Sequence, residues 1–160
     1  MLVLLVRHAQ AAEQDPEQYP DDSLRPLVPK GQRTQRRMSR QLRKQGIVPT
    51  RVFSSPWKRA WQTARILMRE MGVPKGQRFA AESLAMPPDV DAIAAEVGEV
   101  GGDETIALVG HEPWMSSLAG LLLTGNQTGP RIDFSKSGMM GIEMDRLEEA
   151  GGVLRFFVVP

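Results

Sequence analysis

Val3-Leu4-Leu5-Val6-Arg7-His8-Ala9-Gln10 is the stretch from which the rest of the chain can be ordered. A short apolar run rich in valine, ended after six residues by a charge, reads as a buried strand rather than a helix. It delivers Arg7 and His8 at its C-terminal end, the edge at which open α/β sheets bind ligands. An imidazole beside a guanidinium has the makings of a nucleophile with its anion partner, because arginine grips phosphate with two parallel N–H groups. Alone, the dipeptide more often marks a surface arginine and a hydrogen-bonded structural histidine. The remaining motifs reverse that balance.

A second buried-type strand, Thr105-Ile106-Ala107-Leu108-Val109, ends in Gly110-His111-Glu112-Pro113. It repeats the pattern of strand, histidine and helix start, with Pro113 expected at the first helical position. Between the two lies Val52–Ser54, a brief strand, followed by Ser55-Pro56. Serine as N-cap and proline at the first helical position predict a helix over 57–71, closed by Gly72 and Pro74. Arg59 falls in its first turn, where a cation opposes the helix dipole and a bound anion would relieve it. Parallel strands bring such ends to one sheet edge, so His8, His111, Arg7 and Arg59 are expected around one small volume. Two guanidiniums and two imidazoles suit a tetrahedral phosphoryl group.

The other segments fit one α/β domain over residues 1–160. Residues 11–29, with four prolines, read as a long loop of the kind that is often functional, and Arg25 within it can reach back to the Arg7-His8 edge. A helix is expected over 31–45, with Met38 and Leu42 as a thin apolar stripe. Its other face carries Arg33, Arg36, Arg37, Arg40, Arg43 and Lys44, which reads first as a solvated face and second as a docking face for an acidic or phosphate-rich partner. A strand is expected over 79–84, a short helix over 89–100 and a helix over 114–123. The segments 139–145 and 153–159 read as an antiparallel hairpin. Strands alternating with helices give a mostly parallel sheet with an antiparallel edge. Trp57, Trp61 and Trp114 are expected mostly in the core.

Bulk properties narrow the classes. The 160 residues include no cysteine, which removes disulfides, thiolate catalysis and Cys-ligated metal from consideration. The two histidines stand about a hundred residues apart without a zinc-binding spacing, so a metal site is not expected. The net charge of +1 gives no global pull toward nucleic acid or membrane. The opening apolar run is too short for a signal or membrane segment, and a cytoplasmic location is expected.

Three motifs in order resemble one family. Leu4-Leu5-Val6-Arg7-His8-Ala9 resembles the first signature of the histidine phosphatase superfamily, the phosphoglycerate mutase-like group. Ser54-Ser55-Pro56-Trp57-Lys58-Arg59-Ala60-Trp61-Gln62-Thr63-Ala64 is similar to its second, and Val109-Gly110-His111-Glu112-Pro113 to its third. The short length, Ser23-Leu24-Arg25-Pro26-Leu27 and Gly-His-Glu-Pro look most like the phosphohistidine phosphatase SixA subfamily. The resemblance implies a single-domain three-layer sandwich and a reaction that needs no metal or organic cofactor. It implies that His8 attacks phosphorus and becomes phosphohistidine, while Arg7, Arg59 and His111, with Arg25 a less certain helper, bind the phosphoryl oxygens.

Relatives that act on alkyl phosphates carry a glutamate general acid after the third strand. Glu82 is the candidate here, although Ala81-Glu82-Ser83-Leu84 does not clearly match that motif, and an ordinary exposed glutamate is the alternative. A missing acid hinders ester cleavage more than cleavage of an N-phosphoryl bond, whose imidazole leaving group can itself be protonated. Only 32 residues, Val73 to Glu104, separate the Arg59 helix from the His111 strand, which leaves little chain to roof the site. The expected partner is therefore a phosphorylated protein such as a phosphohistidine domain. A small phosphate ester is the second reading and a non-catalytic phosphate-binding module the third, with neither nucleic acid nor membrane as a partner.

Overall fold

In the computed structural model, which describes residues 1–160, the strand quoted above runs from Leu2 to Arg7 (β1) inside a six-stranded sheet. The other strands are β2 (Arg51–Ser54), β3 (Arg78–Ala80), β4 (Thr105–Gly110), β5 (Met139–Glu143) and β6 (Val153–Val158), in the order β3-β2-β4-β1-β5-β6. The pairs β1·β4, β2·β4 and β2·β3 are parallel. β5 runs antiparallel to β1, and β6 antiparallel to β5. The expected mostly parallel sheet with an antiparallel edge is therefore observed, in a single α/β domain.

Four helices cover the sheet: α1 (Pro29–Lys44), α2 (Lys58–Met71), α3 (Val90–Val97) and α4 (Trp114–Thr124). Side chains alternate across β1, so Leu4 and Val6 face one way and Val3 and Leu5 the other. Leu4 and Val6 pack with Val52, Ala107 and Val109 against Met38 and Leu42 of α1 and Ala60, Ala64 and Leu67 of α2. Val3 and Leu5 pack with Ile106 and Leu108 against Ile93 of α3 and Met115, Leu118 and Leu122 of α4. The strands at the centre are apolar on both faces because both faces are covered. The result is a three-layer sandwich with two separate cores.

One close approach and one left-handed turn, each at a glycine, shape the helices on one side. Gly31 in α1 lies so near the preceding chain that a Cβ there would stand 2.2 Å from the Gln10 carbonyl oxygen. Gly72 ends α2 with φ of 79°, and its N–H donates to the Met68 carbonyl. That left-handed cap is the stop expected of glycine at this place.

The structure departs from the sequence expectations at four points. The segment expected as a strand over 79–84 is a strand only over Arg78–Ala80, after which Glu82–Ala85 coils into a 3-10 turn. The Ala81 N–H still bonds the Ser54 carbonyl (2.9 Å), but Leu84 turns into the core, which a continued strand could not achieve. Helix α2 begins at Lys58, so Ser55 is not its N-cap; the Ser55 hydroxyl accepts from the Trp57 N–H at 3.3 Å. Pro113 precedes α4 rather than opening it. None of the three tryptophans is fully buried. Their polar ring edges and large area suit the margin of a core as well as its centre.

Candidate active site

Backbone hydrogen bonds continue past the ends of the parallel strands and bring the three motifs together. The His8 N–H donates to the Gly110 carbonyl (3.0 Å) and the Ser55 N–H to the Val109 carbonyl (3.0 Å). The His8 and His111 rings therefore stand side by side, with centroids 5.1 Å apart and planes tilted by 54°. Both are buried. Thr63 of α2 ties the helix to the β1 end: its hydroxyl accepts from the Ala9 N–H (3.0 Å) and donates to the Arg59 carbonyl (2.7 Å).

The tautomer of His8 follows from its neighbour. Its Nδ1 lies 2.8 Å from the Ala9 carbonyl oxygen, which can only accept, so Nδ1 carries the hydrogen and Nε2 keeps a lone pair. Burial, and then the cations and imidazole around it (His111, Arg59, Arg7), push the His8 pKa down to about 3. The ring is neutral at physiological pH and has a free nucleophilic nitrogen. His111 is likewise held down at about 3, by burial first and then Arg59. Its Nε2 is 2.8 Å from the Ser55 hydroxyl, and the Trp57 ring centroid lies 4.9 Å away.

Both arginines are anchored from behind. Arg7 Nη1 donates to the Phe134 carbonyl (2.7 Å). Arg59 is buried, its guanidinium 4.6 Å from the centroid of the Trp57 ring, and its Nη1 donates to the Asp22 backbone carbonyl (2.8 Å). The Nε atoms of Arg7 and Arg59, and Nδ1 of His111, are buried without any hydrogen-bond partner in the protein. Three unpartnered nitrogens in one small volume, two of them cationic, fit an anion with several oxygen acceptors. The geometry thus gathers His8, His111, Arg7 and Arg59 as the motifs predicted.

The 11–28 segment crosses the same edge as a strap. An Ala11–Leu27 bridge and the Ala12 N–H to Pro26 carbonyl bond (2.8 Å) close it on itself, and the Leu27 N–H to Gln62 Oε1 bond (2.8 Å) pins it to α2. Arg25 on the strap reaches the Ala12 carbonyl (2.6 Å) and Asp22 (2.9 Å). Asp22 is the residue that sequence reasoning missed. Its carboxylate lies 3.0 Å from Arg59 Nη2, so it bridges Arg25 and Arg59. Burial pushes its carboxyl pKa up, but the two arginines outweigh that and hold it below the ordinary value. Ser55 and Ser137 were also missed. The Ser137 N–H bonds the carbonyls of Arg7 (3.2 Å) and His8 (3.3 Å) from a backbone with φ of 64°. Asp22 carried a faint signal, as the acid three residues before Arg25 on a long loop; Ser55 stood inside the second signature but was read only as a helix cap, and Ser137 carried no signal.

Glu82 is not joined to this cluster by any hydrogen bond. It opens the 3-10 turn after β3 and is exposed. Glu112, next to His111, is half-buried; burial raises its carboxyl pKa, and the Ser116 hydroxyl donates to it at 2.8 Å.

The histidine phosphatase superfamily (branch 1) model matches residues 3–79. An uncharacterized protein of Picosynechococcus sp. (strain ATCC 27264 / PCC 7002 / PR-6) is 33% identical over 144 residues, 89% of this chain and 84% of that one. The solved structure of the protein histidine phosphatase SixA complexed with tungstate superposes over 100% of this chain and 97% of its own, with a TM-score of 0.84 and 25% identity. The chain belongs to the histidine phosphatase superfamily. A SixA described as a phosphohistidine phosphatase, from Agrobacterium tumefaciens, covers 99% and 97% of the two chains, with a TM-score of 0.76 and 21% identity. The superfamily fold is shared more distantly with mycobacterial glucosyl-3-phosphoglycerate phosphatase (TM-score 0.66, 15% identity, 99% of each chain).

Proposed function

We propose that this phosphatase removes the phosphoryl group from phosphohistidine on a partner protein, through a covalent phosphohistidine formed on His8. The observation that carries the reading is the state of His8: Nδ1–H is engaged by the Ala9 carbonyl, Nε2 is free, and the ring is neutral among cations. In the first step Nε2 forms a bond to phosphorus as the phosphorus–nitrogen bond of the substrate breaks. The departing imidazole keeps the electron pair and takes up a proton. Arg7, Arg59 and His111 meet the charge spread over the three equatorial oxygens, the main catalytic demand of phosphoryl transfer. Arg25, held by Asp22 and the Ala12 carbonyl, adds its positive charge from the strap. Water then cleaves the phosphoenzyme, releasing phosphate and restoring the neutral imidazole.

Two features favour a protein-borne substrate. Between α2 and β4 the chain makes only β3, the 3-10 turn and α3, and α3 packs into the core with Val3 and Leu5 rather than over the site. With the 11–28 strap as the cover that the chain supplies by way of Asp22, no further segment closes the site against a side chain presented by another protein. Glu82 makes no hydrogen bond to the cluster, and imidazole, which can be protonated on its other ring nitrogen, depends less than an alkoxide on a positioned acid.

A small phosphate ester is the second reading, favoured by the place of Glu82 just past the C-terminal end of β3, on the active edge of the sheet. Turnover of a phosphohistidine-bearing protein and of a panel of alkyl and aryl phosphates, with EDTA present, separates the two. Phosphohistidine hydrolysis by wild type and none by His8→Ala is the expected result. A preference for esters that falls with Glu82→Gln would move the substrate to small molecules, and bound phosphate without turnover of either would leave a binding module.

A further inference from the structure

Charge is divided across this molecule far more sharply than its net value of +1 indicates. Residues 23–81 contain 15 of the 20 lysines and arginines and, of the 19 acids, only Glu70. Residues 82–112 contain acids and no lysine or arginine. The first span builds α1 and α2 and the second builds α3, on opposite faces of the sheet. One face is therefore cationic and the other anionic. Glu70 is already engaged by Arg40 (2.6 Å) and Arg36 (3.9 Å).

The cations converge on a groove of about 740 Å³ between α1, α2 and the 74–78 segment. Arg36, Arg65, Arg69, Lys75 and Arg78 line it, with Glu70 the one acid among them. Arg78 lies with its guanidinium 4.0 Å from the centroid of the Trp61 ring, and its Nη1 is buried without an acceptor. Burial and the nearby Arg65 both disfavour its charge. Five cations stand there against one carboxylate, and such an excess of like charge costs stability unless a further anion joins it. Arg65 and Arg69 follow Arg59 along α2 by six and ten residues, about 9 and 15 Å of helix rise from the site.

We propose that the α1/α2 groove is a docking surface for an acidic segment of the partner protein whose phosphoryl group enters the His8 site. The inference rests on the protein-substrate reading above. Charge complementarity selects carboxylates, which arginine pairs through two N–H groups. The outward residues of α1 are polar or charged throughout, without the large apolar side chains an interfacial membrane helix inserts. No aromatic ring lines the groove, and Trp61 beside it is already covered by Arg78, which leaves no open platform for stacking bases.

The test uses two synthetic phosphohistidine peptides that differ only in a tail of about six residues, glutamate in one and glutamine in the other, long enough to span about 20 Å. Wild type is expected to turn over the glutamate peptide with a kcat/KM about tenfold higher, through KM, and to lose that preference in about 0.5 M salt. In Arg65→Glu/Arg69→Glu, and separately in Arg36→Glu/Lys75→Glu, the two peptides should converge while kcat for the glutamine peptide is unchanged. Equal kcat/KM for the two peptides in wild type would overturn the proposal, as would a preference that survives the Arg65/Arg69 reversal. Tighter binding of a short DNA duplex, or of phosphatidylserine vesicles, than of the glutamate peptide would overturn it too. If neither peptide is hydrolysed, the substrate reading has failed. Fluorescence polarisation of the unphosphorylated glutamate peptide against wild type and the reversed variants then decides the docking surface by itself.

Discussion

The carboxylate of Asp22 lies 3.0 Å from Nη2 of Arg59, and the Asp22 backbone carbonyl takes Nη1 of the same guanidinium at 2.8 Å. The anion-binding arginine of the site is thus already paired with an anion of its own. A phosphoryl group must share Arg59 with that carboxylate or displace it. Asp22→Asn should remove the competition and lower the inhibition constant of inorganic phosphate about tenfold, which corresponds to about 1.4 kcal/mol. Inhibition assays against phosphate, with wild type alongside, check this. A weaker affinity in the variant would show that Asp22 holds Arg59 in place rather than competing for it.

Arg59→Ala should reduce turnover by roughly 10²-fold or more, the loss typical of removing one preorganised partner of transition-state charge. Arg59→Lys should recover only part of it, because an ammonium has no planar fork and no Nε. Single-turnover rates on one substrate measure both. Near-wild-type turnover in Arg59→Ala would take the residue out of the site.

Both histidines have folded pKa values near 3 against an ordinary value of 6.5. The unfolded chain therefore binds protons that the folded chain refuses, and stability falls as pH drops from about 6.5 toward 3. The slope is about 1.4 kcal/mol per pH unit for each histidine. Urea midpoints between pH 7 and pH 4 should show this fall, and His8→Gln/His111→Gln should flatten it. Because these are the protein's only two histidines, their ring-proton NMR signals are easily assigned. Neither should titrate between pH 5 and 8.

Thr63→Val keeps the shape of the side chain and removes both bonds of the hydroxyl. The Ala9 N–H is then left buried and unsatisfied, at a cost of about 1–3 kcal/mol. Turnover should fall as well, since the nucleophile's loop and the Arg59 helix lose their joint. Thermal denaturation and kcat of the same preparation check both halves. Loss of stability with full activity would confine Thr63 to folding.

Much of the site was legible because its four central groups sit at strand ends and at one helix start, where local pattern and topology agree. Leu4 and Val6, or Ile106 and Leu108, could be assigned to a doubly covered sheet from their lack of polar alternation alone. What stayed hidden depends on contacts between distant segments. Asp22 meets Arg59 across 37 residues, and the Ser55 hydroxyl meets His111 across 56. Neither pairing leaves a periodic trace. The segment after β3 misled for a local reason, since Phe79 to Leu84 has strand composition while Leu84 is drawn into the core. The tryptophans misled because a large ring was credited to the interior, whereas Trp57 and Trp61 each lie beneath a guanidinium at its margin.

The segregation of charge onto opposite layers gives this protein an electric dipole that runs through the sheet from the α3 side to the α1/α2 side. The mouth of the site lies at the strand ends, roughly a quarter-turn from that axis. An approaching anion is therefore turned toward the flank before it meets the mouth. Capture and chemistry occupy different sides of the molecule, and ionic strength should slow the first without touching the second. A chain of almost neutral net charge would then be retained by a cation exchanger as though it were a basic one.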